Sequence, residues 1–214
     1  MQEKLVVCIT GASGAIYGYR LLEVLNRLNF SVDLVVSSSG WVVLKQELDL
    51  TKDNLIKAFP SINLVSERDI ANPIASGSRL IQYKGVLISP CSMSTLAHIA
   101  NGTNQNLIHR VGEVALKERV PLVLLVREAP YSEVHIKNML RAVRAGAIVL
   151  PASPGFYHRP TTMQELVDFV VGKMLDSLRI EHNLYRRWRE SSVPDNLSSI
   201  SQKTSTPHTN YPSQ

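Results

Sequence analysis

Five short apolar runs, separated by segments of helical length, leave this chain few folds to choose from. They are residues 5–9 (LVVCI), 31–39 (SVDLVVSSS), 85–89 (GVLIS), 121–126 (PLVLLV) and 147–150 (AIVL). Most are apolar at consecutive rather than alternate positions, the pattern of strands covered on both faces. Between them, Leu21, Val24, Leu25 and Leu28 repeat at helical spacing. So do Leu107, Val111, Val114 and Ala115 within 105–119, and Ile136, Leu140 and Val143 on one face of 132–145. Residues 41–50 and 49–60 read as two further helices, and 71–78 as a turn-rich loop. The longest amphipathic helix is 162–180, striped by Val167, Val170, Val171, Met174 and Leu178. Each connection is long enough for a crossover helix, so the strands run mostly parallel. The expected architecture is α/β: three layers, with helices on both faces of a mostly parallel sheet.

A length of 214 residues fits one domain with ample core. We place it at 1–190, followed by a Ser/Thr/Pro/Asn-rich tail, 191–214, that reads as disordered. The net charge of +5 comes from basic residues spread along the chain rather than a run. With seven Tyr, four Phe and two Trp there is little material for a base-stacking surface, so no nucleic-acid partner is expected. Cys8 and Cys91 each adjoin a strand and neither has a C-x-x-C partner, which fits a reduced protein without structural zinc. No apolar run approaches the roughly 18 residues of a membrane span, and no signal-peptide layout is present. The expected location is the cytoplasm, with no membrane partner.

Chemistry concentrates where strands give way to helices. Residues 10–18 (TGASGAIYG) join the first strand to the first helix, and Ser13 stands where the helix begins. The glycine spacing matches neither a dinucleotide fingerprint nor a P-loop. Two readings stand: a phosphate cradle built from backbone N–H groups and the helix dipole, or an ordinary tight turn. At 89–95 (SPCSMST), Ser92, Ser94 and Thr95 either present hydroxyls to a ligand or cap the next helix. Arg127 and Glu128 end a central strand, where α/β sheets bind ligands. They either clamp a phosphate and supply a proton, or form a surface ion pair. In 151–160 (PASPGFYHRP), three prolines stiffen a loop whose aromatics wall a pocket or seal the sheet end. Lys173 lies at the margin of the last helical stripe. Glu47, taken by itself, reads as a solvated helix residue.

The motifs ITGASGAIYG (9–18), SGS (76–78), SPCSMSTLAHIANG (89–102), LKERVPLVLLVREAP (116–130) and FYHRP (156–160), in this order, resemble the UbiX-type flavin prenyltransferases of the flavoprotein decarboxylase-like superfamily. The resemblance implies a Rossmann-like form of the layered sheet. It further implies transfer of a dimethylallyl group from dimethylallyl phosphate to reduced FMN without a metal. The transfer builds a fourth ring at the flavin N-5 and C-6 positions for use by a UbiD-type decarboxylase. Carried over residue by residue, Gly11, Ala12, Ser13, Ser37, Ser92, Met93, Ser94, Thr95 and Arg127 would contact FMN. Arg110, Lys117, Tyr157 and Lys173 would surround the donor phosphate, with Trp188 an aromatic nearby. Ser13, Glu47 and Glu128 would be catalytic, Glu128 protonating the leaving phosphate and the other two managing protons at the flavin. The resemblance also implies a homo-oligomer, a dodecamer with FMN at subunit contacts. Asn72-Pro73 and Trp41 match no part of that pattern. The alternative is a flavin-dependent cysteine-type decarboxylase of the same superfamily, against which stand the PCSMST turn and the lack of His in 41–80.

Overall fold

The computed structural model describes residues 2–188, so the tail at 191–214 lies outside the described residues. The elements are β1 (Lys4–Ile9), α1 (Ala15–Arg27), β2 (Ser31–Val36), α2 (Ser38–Leu48), α3 (Lys52–Ala58) and β3 (Asn63–Ser66). A 3-10 turn at Pro73–Ala75 leads to α4 (Gly77–Leu80), β4 (Gly85–Cys91), α5 (Met93–Ala100) and α6 (Leu107–Glu118). The series closes with β5 (Leu122–Val126), α7 (Glu133–Ala145), β6 (Ile148–Pro151) and α8 (Met163–Ser177). The strands form one sheet in the order β3-β2-β1-β4-β5-β6, every neighbouring pair parallel. This is the expected layered α/β fold, with a sixth strand, β3, that the sequence reading lacks.

Successive side chains of the strands face opposite layers, which is why the strand sequences are apolar throughout. Leu5, Val7, Ile9, Leu34, Leu87, Val123 and Leu125 pack with Leu21, Leu25, Leu44, Val170 and Met174, burying α1, α2 and α8 on one face. Val6, Cys8, Val86, Ile88, Leu122 and Leu124 pack with Leu96, Ile99, Val111 and Val114, burying α5 and α6 on the other. The residues placed on the stripe of the last helix are buried.

Two local readings are corrected, and the apolar side of one helix is assigned its direction. Residues 71–78 are not all loop: Asn72 accepts a hydrogen bond from Ile74 N and opens the 3-10 turn, and α4 begins at Gly77. The helix expected from Trp41 starts at Ser38, because Ser37 caps it by accepting from Gly40 N at 2.9 Å. The apolar side of α7 faces outward. Val134, Ile136, Leu140 and Val143 are each about half exposed or more, whereas Asn138 and Ala142 are buried.

Candidate active site at the switch point of the sheet

From β1 the chain runs outward through β2 to β3, then returns to place β4 on the other side of β1. The crevice at the carboxyl ends of β1 and β4 is thus a topological switch point, the usual ligand position in open α/β sheets. Thr10 ties its two walls together. Its hydroxyl donates to Pro90 O at 2.8 Å and accepts from Ser92 N at 2.8 Å, while its own N–H donates to Pro90 O at 3.2 Å. Close backbone approach sets the residue types around it. A Cβ on Gly18 would lie 2.4 Å from Ser89 O, and one on Gly40 would lie 2.6 Å from Ile9 O.

Three helices begin at this edge. At α1, Gly14 has φ 104°, a left-handed conformation, and directs N–H groups outward. Gly14 N and Ala15 N donate to the Glu47 carboxylate at 2.9 and 2.8 Å. The exposed helix residue is therefore a cap on a neighbouring helix, and a carboxylate of the chain itself occupies these donors of the first turn. At α2, Ser38 N and its hydroxyl both donate to Glu67, the backbone bond measuring 2.8 Å. At α5, Ser92 Oγ accepts from Thr95 N at 3.2 Å, so the capping reading of Ser92 holds. The first two N–H groups of α5, on Met93 and Ser94, have no intrahelical acceptor by geometry and form the remaining anion-seeking end. Ser13 and Ser94 are exposed at the mouth, Ser37 and Thr95 are buried in its wall, and Ser39 Oγ lies 3.1 Å from Ser37 Oγ. Arg127 reaches this turn from the end of β5, its Nε donating to Ser13 O at 2.9 Å. Glu128 follows it, half-buried, accepting from Ala129 N at 3.0 Å. Gly11, Ala12, Ser13, Ser37, Glu47, Ser92 to Thr95, Arg127 and Glu128 thus meet at one edge of the sheet.

The remaining candidates form two other groups. Arg110 and Lys117 line an open cavity of about 490 Å3 with Ser76, Gly77, Ser78 and Glu118. Arg110 pairs with Glu113 at 2.9 Å and Lys117 with Glu118 at 2.8 Å. Glu118 leans over Gly77, where a Cβ would lie 2.1 Å from Glu118 Oε1 unless that side chain swung aside. Tyr157, Lys173 and Trp188 gather around α8: Tyr157 meets the edge of Trp188 at 5.5 Å between ring centroids, and Lys173 Nζ lies 3.5 Å from Asp176 Oδ2. Helix α6 belongs to one face of the sheet and α8 to the other. The two cationic groups are therefore separated by the sheet and its side-chain layers, on the order of 20 Å. One chain does not gather Arg110, Lys117, Tyr157 and Lys173 around a single phosphate.

Both cysteines are fully buried, and desolvation pushes their thiols up, Cys91 to about 12. They are packing residues and not nucleophiles. Among the described residues there is no cluster of three or more His, Cys, Asp or Glu side chains able to hold a metal ion, and no helix long and apolar enough to cross a membrane. Sequence reasoning missed Thr10, Glu67, Asp176 and the ring stack of His98 on His109 at 4.2 Å. Thr10 and Glu67 gain their roles from partners far away in sequence, whereas the partners of Asp176 lie in the segment that follows α8 and His98 and His109 meet from adjacent helices.

The donor set fits a flavin mononucleotide. Hydroxyls on Ser37, Ser39, Ser92 and Ser94, two helix-end N–H groups and the Arg127 guanidinium suit a phosphate and a polyol chain. The flavoprotein family model matches residues 1–183. The flavin prenyltransferase UbiX of Aquifex aeolicus (strain VF5) is 60% identical over 187 residues, covering 87% of this chain and 99% of the relative. The crystal structure of AnUbiX (PadA1) in complex with FMN and dimethylallyl pyrophosphate superposes with a TM-score of 0.83 at 39% identity, covering 88% of this chain and 98% of that one. The dodecameric FMN-dependent UbiX-like decarboxylase from Escherichia coli O157:H7 superposes with a TM-score of 0.82 at 36% identity, over 87% of this chain and 99% of that one. The chain belongs to the flavoprotein family, among its UbiX flavin prenyltransferases.

Proposed function

We propose that the protein transfers a dimethylallyl group from dimethylallyl phosphate to reduced FMN, and that the product serves a UbiD-type decarboxylase. The observation that carries this reading is the Arg127–Ser13 bond. It sets an Arg-Glu pair against the first strand–helix turn, beside the hydroxyl-lined start of α5. FMN, when bound, supplies the acceptor atoms and an aromatic face. Everything else falls to side chains. Hydroxyls of Ser37, Ser92 and Ser94, the N–H groups of Met93 and Ser94 and the Arg127 guanidinium would hold the cofactor. Gly11 and Ala12 keep that wall thin. Ser13 and Glu47 hold and move protons at the flavin edge, and the bonds from Gly14 N and Ala15 N keep Glu47 aimed at that turn.

Departure of phosphate from an allylic carbon leaves charge on both fragments. Cations offset the phosphate, and aromatic faces the carbon. Arg110, Lys117 and Lys173 fill the first role, Tyr157 and Trp188 the second, and Glu128 donates a proton to the leaving oxygen. Because α6 and α8 lie on opposite faces, the donor half needs Arg110 and Lys117 from one copy and Tyr157 and Lys173 from another. The protein accordingly works as a homo-oligomer, for which the dodecameric relative is the precedent. The outward apolar side of α7 gives such an assembly surface to bury. No metal enters the scheme, and the cytoplasm is the compartment we assign.

The deciding experiment incubates the protein anaerobically with reduced FMN and dimethylallyl phosphate, with the diphosphate in parallel, and follows the flavin by mass spectrometry. Expected is a gain of one five-carbon prenyl unit. An unchanged flavin with both donors overturns the reading.

A further inference from the structure

The last described residues, 181–188, form neither helix nor strand, yet one carboxylate of α8 holds them in place. Asp176 Oδ1 accepts from Arg187 Nη2 at 2.7 Å and faces His182 Nε2 at 3.2 Å. His182 Nδ1 accepts from Leu184 N at 3.2 Å, so the proton sits on Nε2 and is donated to Asp176. Asp176 Oδ2 accepts from the Tyr185 hydroxyl and lies 3.5 Å from Lys173 Nζ. Burial alone would raise this carboxyl, but the bonds from Arg187 and Tyr185 outweigh it and bring it to about 2. It is therefore ionised at any working pH, and three side chains of the segment converge on it.

Two further features belong to the same arrangement. Gly172, one turn before Asp176, leaves the space that the segment fills: a Cβ there would lie 2.6 Å from the Tyr185 ring and 2.8 Å from that of His182. Tyr185 in turn packs on Phe169 at 4.8 Å, and Phe169 meets the edge of Tyr157 at 5.7 Å. Trp188, the residue after Arg187, then lies against Tyr157. A single acidic group thus connects the cation Lys173 with the segment that delivers Trp188.

We propose that Asp176 is a positioning residue for the donor half of the site. It straps residues 182–188 across α8 so that Trp188 meets Tyr157, and it holds the Lys173 ammonium beside them. The proposal rests on the functional reading above for what the donor half binds, but not for the strap itself.

The test uses the full chain in a W41F background, so that indole emission comes from Trp188 alone. D176N keeps the shape and removes the charge that gathers Arg187, Tyr185 and Lys173. Expected are greater acrylamide quenching of Trp188 and an approximately tenfold weaker Kd for dimethylallyl phosphate, titrated onto the FMN-loaded protein, with a matching rise in KM. The FMN Kd should stay within about twofold of the parent. Unchanged quenching overturns the strap. Changed quenching with an unchanged donor Kd overturns the positioning role, as does a lowered melting temperature with both readouts unmoved. Should D176N fail to fold, G172A dislodges the segment by steric contact and is judged by the same two readouts. A parent protein that leaves the flavin unmodified sinks the functional reading, while quenching still decides the strap.

Discussion

Glu128 and Arg127 are neighbours in sequence but do different work at the end of β5. Arg127 bonds the carbonyl of Ser13 through Nε alone, whereas Glu128 bonds the N–H of the following residue and keeps a carboxylate oxygen for a ligand. If Glu128 protonates the departing phosphate, E128Q lowers turnover about a hundredfold or more and leaves the FMN Kd unchanged. Single-turnover formation of prenylated flavin measures the first, flavin fluorescence titration the second. Equal turnover of E128Q and parent removes Glu128 from the chemistry. His109 offers a prediction about pH. Burial, and secondarily the stacked His98 ring, lower its pKa from 6.5 to about 4, against an opposing pull from Glu67. Between those values the unfolded chain binds the proton that the folded chain excludes, so folding stability is complete above about pH 6.5 and declines as pH falls toward 4. The loss across the window is on the order of 2–3 kcal/mol. Urea midpoints measured from pH 7 to 4 should show this slope, and H109N should flatten it. Asp176 contributes in a separate, lower window, with stability lost only as pH falls from 3.8 toward about 2. Neither residue shows its role in the local sequence, since His109 in LIHRV and Asp176 in MLDSL are plain helix positions until His98 and Glu67 meet the first and the segment after α8 folds back on the second. Glu47 teaches the same point in reverse. Exposure by itself describes a solvated side chain, yet the carboxylate caps a helix that begins 32 residues earlier.

The elements were far easier to read than their partners. Runs of consecutive β-branched and Leu residues have little choice but to form covered strands, and all five are present. β3 escaped because a four-residue edge strand, with Asn63 and Ser66 exposed, lacks an apolar run. The α7 pattern was read correctly as one-sided, but its buried side is the less apolar one, where Asn101 Nδ2 bonds Asn138 Oδ1 at 3.3 Å. Periodicity locates a stripe; it does not say whether the same chain or another covers it. Helix placement yields a prediction at this scale. α1 crosses β1 and β4 on Gly18, so the methyl group of G18A must push against Ser89 O and Ile9. The expected cost is about 1–3 kcal/mol in urea unfolding, with FMN affinity falling as α1 lifts from the crevice. A variant as stable as the parent would mean that α1 accommodates the methyl group by shifting.

At the scale of the whole molecule, the sheet is a partition. It fixes which site residues share a compartment, something no spacing between positions 110, 117, 157 and 173 reveals, because a crossover connection can land on either face. The motifs along the chain were therefore sufficient to place the family, and insufficient to show that the residues proposed for the donor half lie on opposite faces of the sheet. That separation gives the protein a genetics of its own. K117A and K173A should each abolish most turnover when assembled alone, and each damages a different half of every shared site. Unfolded together in equal amounts and reassembled, the two inactive proteins should regain about a quarter of parental activity, because one site in four then draws both intact halves from different copies. Mixing without reassembly should restore none. A chain that is incomplete by itself would thus be rescued by a differently broken copy of itself.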